Sequence, residues 1–183
     1  MKKTISIIIS IAMCAMLASC GGVKNEVSDK EQPRLIDTMS LEEKVGQILF
    51  VRCVEDEQTD NLMSIKPGGI LMFGRDFEGL TKDEVKEKIQ SYQDKSDIPL
   101  IIGADEEGGT VVRVSSNPNL APEKFKSPQE IYNEGGMDAV VENATEKSEL
   151  LLSLGVNMNL APVADVSTNP SDYMYDRSLG QNA

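Results

Sequence analysis

With 183 residues, 18 Lys and Arg against 30 Asp and Glu, and a formal net charge of -12, the chain has room for one ordinary domain and no basic run to neutralise nucleic-acid phosphates. Histidine is absent. That excludes a Ser-His-Asp triad, a Cys-His pair or an imidazole-ligated metal assembled from these residues alone.

The first residues read as an address. Lys2 and Lys3 form a basic start, followed from Ile5 to Leu17 by an apolar stretch shorter than the roughly 20 residues that span hydrocarbon. Leu17-Ala18-Ser19-Cys20 closes it with small residues before a cysteine. The pattern over residues 1–20 resembles a bacterial lipoprotein signal with its lipobox. The resemblance implies cleavage before Cys20 and lipid on its sulfur, hence an extracytoplasmic protein held at a membrane. A plain secretory signal or a short membrane anchor is the other reading. Residues 21–34 are polar, contain Gly21-Gly22 and lack periodicity, so a flexible tether is expected. Only Cys53 stays in the folded part, where no intramolecular disulfide is then expected; after its apolar run it reads as a small buried hydrophobe.

Ser40 followed by Glu43 marks a helix start, and a short helix is expected over residues 38–47, then a first strand over 48–54. Residues 60–65 read as a helix ended by Lys66-Pro67-Gly68-Gly69, and 69–73 as a second strand that turns away at Gly74-Arg75. Residues 81–95 open with T-K-D-E and set Val85 and Ile89 four apart among charges, as an amphipathic surface helix does. Pro99 starts the third strand. Its apolar residues give way to Asp105-Glu106-Glu107-Gly108-Gly109, carboxylates delivered to the end of a buried strand.

Residues 115–127 hold too many turn formers for a regular element. A helix is expected over 137–154, with Val140, Val141, Ala144, Leu151, Leu152 and Leu154 toward the core and Gly155 as its stop. Residues 156–166 read as the fourth strand, and 167–172 as a polar turn.

Four strands alternating with helices indicate parallel βαβ units, an α/β fold. The expected architecture is the N-terminal half of a (β/α)8 TIM-type barrel over residues 35–183, incomplete in this chain, since a closed barrel usually needs roughly 250 residues. The chain is expected to be the N-terminal part of a longer protein.

Three motifs carry a family resemblance: D-E-E-G-G-x-V-x-R at Asp105 to Arg113, G-V-N-M-N-L-A-P-V-A-D-V at Gly155 to Val166, and D-R-S-L-G at Asp176 to Gly180. In order and spacing they resemble the N-terminal barrel domain of glycoside hydrolase family 3. The D-x-E-G-G pattern is similar to the β-N-acetylhexosaminidase branch, whereas β-glucosidase members tend to have a His-Gly pair where Glu107-Gly108 stands. The resemblance implies a glycosidase that removes terminal β-linked N-acetylhexosamine with retention, a carbohydrate partner and no cofactor or metal. It also implies that Asp105 and Arg177 contact the sugar, with Arg113 a third substrate-binding candidate. A carboxylate accepts from two adjacent hydroxyls, and a guanidinium fork donates to hydroxyl oxygens.

On the residues alone, Asp105 can instead bond loop amides and Arg177 can pair with Asp176. Glu107 is open between loop amides and substrate. Gly108 and Gly109 are expected to supply positive φ or a close backbone approach, and Asp165 to bond the turn after the fourth strand. Thr110 stands where relatives often have an arginine, so any contact of that arginine is missing.

Family members cleave through a nucleophilic aspartate and, in this branch, a histidine acid/base, both implied to lie beyond Ala183. No catalytic residue is therefore assigned in this chain, which alone is expected to be inactive. Two rival readings are a non-catalytic lipid-anchored sugar-binding protein and a divalent-metal cluster at Asp105, Glu106 and Glu107. Adjacent residues of an extended segment point to opposite faces, which disfavours the second.

Overall fold

The computed structural model of the chain describes residues 34–182; the expected signal with Cys20 and the tether up to residue 33 lie outside them. Helix α1 (Leu35–Thr38) belongs to a first compact unit and everything from Met39 to a second.

The second unit alternates helices and strands: α2 (Leu41–Ile48), β1 (Phe50–Arg52), α3 (Thr59–Ser64), β2 (Gly69–Met72), α4 (Gly74–Phe77), α5 (Lys82–Gln93), β3 (Ile101–Ala104), α6 (Pro128–Leu154) and β4 (Met158–Asn159). Short 3-10 turns lie at Asp56–Gln58 and Tyr175–Arg177. The strands form one parallel sheet in the order β1-β2-β3-β4. This is the expected α/β half-barrel, incomplete in this chain.

Local chemistry starts the longer helices. Ser40, Thr81 and Ser127 each accept from the amide three residues on, and Glu43, Glu84 and Glu130 reach back to the capping residue. Packing then selects the sheet faces. Ile70, Met72, Ile102 and Ala104 are fully buried in one core with Val85, Ile89 and Tyr92 of α5 and Leu151 and Leu154 of α6. Cys53 is buried in that core, as expected, with its Sγ 3.3 Å from Tyr92 Oη; burial pushes both groups' pKa up.

Strand alternation puts Phe50, Leu71, Ile101 and Gly103 on the opposite face, the one a closed barrel turns inward. There the Phe50 ring lies across Gly69 and Gly103: a Cβ on either glycine would come within 2.7 Å and 2.5 Å of it, respectively.

Several elements differ from the sequence expectation, each for a local reason. Helix α2 runs on to Ile48, so β1 begins only at Phe50. Residues 74–77 form a helical turn because the Asp76 carboxylate accepts the Phe73 N–H at 2.7 Å. Helix α6 is two helices meeting at a kink: an unexpected first one from Pro128, capped by Ser127, runs up to the non-helical backbone of Gly135 and Gly136, and the second is the helix expected over 137–154. Its buried stripe is Lys147, Leu151 and Leu154, spaced at helical intervals, which leaves Val141, Ala144 and Leu152 exposed.

Strand β4 is two residues long where 156–166 was expected, because amide side chains take over its pairing. Asn157 Oδ1 accepts the Ile102 N–H at 2.8 Å and its Nδ2 donates to the Leu100 carbonyl at 3.1 Å. Past Leu160, whose N–H donates to the Ala104 carbonyl at 2.9 Å, the third strand has already turned into the acidic loop and offers no further ladder.

Candidate functional site

The site gathers at the C-terminal ends of β1, β2 and β3, where parallel α/β barrels present their functional loops. Asp105, Glu106 and Glu107 leave β3 in succession, and their carboxylates diverge. Asp105 Oδ2 accepts from Arg113 Nη2 at 3.2 Å, both side chains being about a quarter exposed. Glu106 is fully buried and accepts from the amides of Arg113 at 2.8 Å, Val114 at 2.7 Å and Ser115 at 3.3 Å, and from the Ser115 hydroxyl. Glu107 turns to Arg177, taking Nε at 2.9 Å and Nη2 at 2.6 Å in a two-pronged pair. Bonding to Glu107 raises the Arg177 pKa further above its ordinary value.

Three carboxylates aimed at three partners share no point at which one cation could sit. The loop-amide role considered for Glu107 belongs to Glu106, and Arg177 pairs with Glu107 rather than Asp176. Alternation along an extended segment carries that information, because it sets Glu106 on the face opposite both neighbours.

The glycines meet both expectations placed on them. Gly108 has φ 101° and Gly109 φ 64°, and a Cβ on Gly108 would sit 2.1 Å from the Lys126 carbonyl oxygen. The tight loop admits Lys147 from α6, whose Nζ donates to the Glu107 carbonyl at 2.7 Å and lies 5.5 Å from the Phe125 ring centroid. Burial pushes the Lys147 pKa down.

Two rim residues carry no sequence signal of function. Phe73 follows β2, and the guanidinium carbons of Arg52 and Arg113 lie 4.7 Å and 5.7 Å from its ring centroid. Arg52, Phe73, Arg113 and Asp105 thus form one continuous rim across three strand ends. In the sequence Arg52 is only a polar strand residue and Phe73 the last apolar residue of its run.

Asp165 does not bond the turn that follows. It is exposed and has no hydrogen bond among the described residues. Asp172 ties that turn instead, accepting from Ser167 Oγ at 2.9 Å and Asn169 Nδ2 at 3.2 Å. The buried Ser178 hydroxyl donates to the Ser167 carbonyl at 3.2 Å, and Gln129 of α6 donates to the Tyr175 carbonyl, which together seat the Arg177 turn on α6 and on the segment after β4. Of the three expected substrate contacts, Asp105 and Arg113 touch directly. Arg177 joins them through Glu107, two residues beyond Asp105.

The N-terminal domain of glycosyl hydrolase family 3 matches residues 40–183. The chain is 30% identical over 119 residues to beta-hexosaminidase A of Pseudoalteromonas piscicida, covering 63% of this chain and 20% of that protein. It is 26% identical over 145 residues to a beta-hexosaminidase of Mycobacterium tuberculosis, covering 79% of this chain and 36% of that protein. A glycoside hydrolase family 3 beta-N-acetylglucosaminidase of Paenibacillus sp. superposes with a TM-score of 0.64 at 25% identity, over 75% of this chain and 26% of that one. The chain therefore spans a fifth to about a third of the length of these relatives. The parallel half-barrel, the acidic loop at the end of its third strand and a match over most of its residues agree: the chain belongs to glycosyl hydrolase family 3, as part of its N-terminal domain.

Proposed function

We propose that the protein carrying this chain removes terminal β-linked N-acetylhexosamine, N-acetylglucosamine foremost, from glycans, and that this chain supplies one sugar-gripping wall of the cleft. The observation that carries the reading is the return of Arg177, 70 residues along the chain, onto the loop that bears Asp105. Both residues matched to sugar contacts are then tied to one loop, Asp105 as a member of it and Arg177 through Glu107. Arg113 holds Asp105 through a single nitrogen, which leaves carboxylate lone pairs for ring hydroxyls and fixes their direction before substrate arrives. In this reading Arg113 acts on the sugar through Asp105. Relatives that are hexosaminidases and an N-acetylglucosaminidase support the branch.

The nucleophile and the acid/base of a retaining reaction are assigned to residues beyond this chain, which alone hydrolyses nothing. Lipid on Cys20 would hold the enzyme outside the cytoplasm at a membrane.

Nitrophenol release by the full-length protein tests the proposal. Turnover of the nitrophenyl β-N-acetylglucosaminide and not of the β-glucoside is expected, with Asp105→Ala lowering kcat/KM at least about 100-fold, or roughly 3 kcal/mol of transition-state binding. Equal rates on both sugars would place it with the β-glucosidases, and sugar binding without turnover would make it a lipid-anchored receptor. An Asp105→Ala rate within a few-fold of the parent would overturn the assignment of that residue.

A further inference from the structure

Resting on the hydrolase reading, we infer that Glu107 is a positioning residue that aims Arg177 at the sugar, and that Lys147 of α6 holds Glu107 in place for that task.

Glu107 is poorly placed to meet substrate itself. Its side chain is 5% exposed and both carboxylate oxygens are engaged by Arg177, which is 25% exposed. Binding through the Nε and Nη2 edge fixes the plane of the guanidinium and turns its remaining donors elsewhere; Nη1 lies 3.5 Å from Met174 Sδ. Arg177 needs such a brace because it sits on a three-residue 3-10 turn in the segment beyond β4, where Gln129 and Ser178 hold the main chain and the Glu107 pair sets the direction of the side chain.

The brace is itself braced. The Glu107 N–H donates to the Val111 carbonyl at 3.0 Å, and its own carbonyl accepts from Lys147 Nζ at 2.7 Å. Lys147 reaches that carbonyl past Gly108, where a Cβ would stand 3.2 Å from Nζ. A lysine on the long helix α6, an acidic loop after β3 and an arginine after β4 are thereby locked in series. Alternative occupations of these groups are few: Lys147 forms no ion pair within 4.0 Å among the described residues, and its only hydrogen bond there goes to Glu107.

The test uses the full-length protein and the nitrophenyl β-N-acetylglucosaminide. Glu107→Gln is expected to raise KM about tenfold with kcat within about threefold, the signature of lost binding common to ground and transition states. Arg177→Ala should do the same, and the double variant should be no worse than Arg177→Ala alone within about twofold, since one group acts through the other. Glu107→Asp, which keeps the charge, should recover part of the KM, and Lys147→Met should raise KM without adding to Glu107→Gln. If Glu107→Gln melts at the assay temperature, the Asp and Met variants complete the cycle with Arg177→Ala. Losses that multiply in the double variants, or an unchanged KM in Glu107→Gln, overturn the inference while leaving the enzyme reading intact. A parent without turnover overturns that reading and the inference with it.

Discussion

Asn159 closes on the main chain of Glu106 from both sides: its Oδ1 accepts the Glu106 N–H at 3.0 Å and its Nδ2 donates to the Glu106 carbonyl at 3.1 Å. One side chain of β4 does what a further ladder residue would do, and it pins the first bend of the acidic loop. Asn159→Ala leaves both main-chain groups without a partner in a part-buried place. A loss of about 2 kcal/mol of folding stability is expected, read as a lower urea midpoint at unchanged slope.

Glu106 is the loop's buried anchor, and four donors converge on it. Glu106→Gln substitutes an amide whose NH2 faces donors that need an acceptor. A loss of about 3 kcal/mol or more is expected, larger than for Asn159→Ala. Chemical denaturation of both variants side by side checks the order; a Glu106→Gln midpoint equal to the parent's would contradict the anchoring role.

Gly108 combines a left-handed backbone with a carbonyl at the place of its missing Cβ. Gly108→Ala must move either its own loop or the Lys126 strand of chain, at a cost of about 2 kcal/mol or more. Gly79 also has a positive φ, 73°, but nothing stands within 4 Å of its missing Cβ. Gly79→Ala should therefore cost only the φ penalty of about 1 kcal/mol, so a thermal melt of the two variants separates strain from collision.

Three glutamates at the third position of their helices set an acid-side dependence. Hydrogen bonds from the Thr81 and Ser127 amides hold the Glu84 and Glu130 carboxyls below their ordinary value of 4.5, and the Lys66 side chain together with the Ser40 amide does so for Glu43. Because each folded value lies below the unfolded one, their contribution is complete above about 4.5 and disappears as the pH falls through the folded values. The urea midpoint should drop below that pH. A variant with all three changed to Gln, which retains the capping oxygen and loses the charge, should show a shallower drop.

The parts legible in the sequence are those that local chemistry decides. Ser40, Thr81 and Ser127 each announce a helix with a glutamate three residues on, although Ser127-Pro128 was obscured by Gly135-Gly136 just beyond it. The acidic loop stood out because an apolar strand ends on it abruptly. Strand length was not legible, since a ladder ends where its partner turns away, as β3 does at Asp105. The rim made by Arg52, Phe73 and Arg113 was hidden for the same reason: three separate strand ends assemble it. Glu107 and Arg177 are 70 residues apart, and only the fold decides that they meet.

Phe50 fills, with one ring, the space above both Gly69 and Gly103. The two glycines differ in what a side chain would need: at 103 a Cβ meets only the Phe50 ring and a smaller residue at 50 makes room for it, whereas at 69 it also meets the Ile101 carbonyl oxygen at 2.5 Å, which no change at 50 removes. The height of the barrel floor beneath the rim is thus set from β1, by one ring laid across β2 and β3.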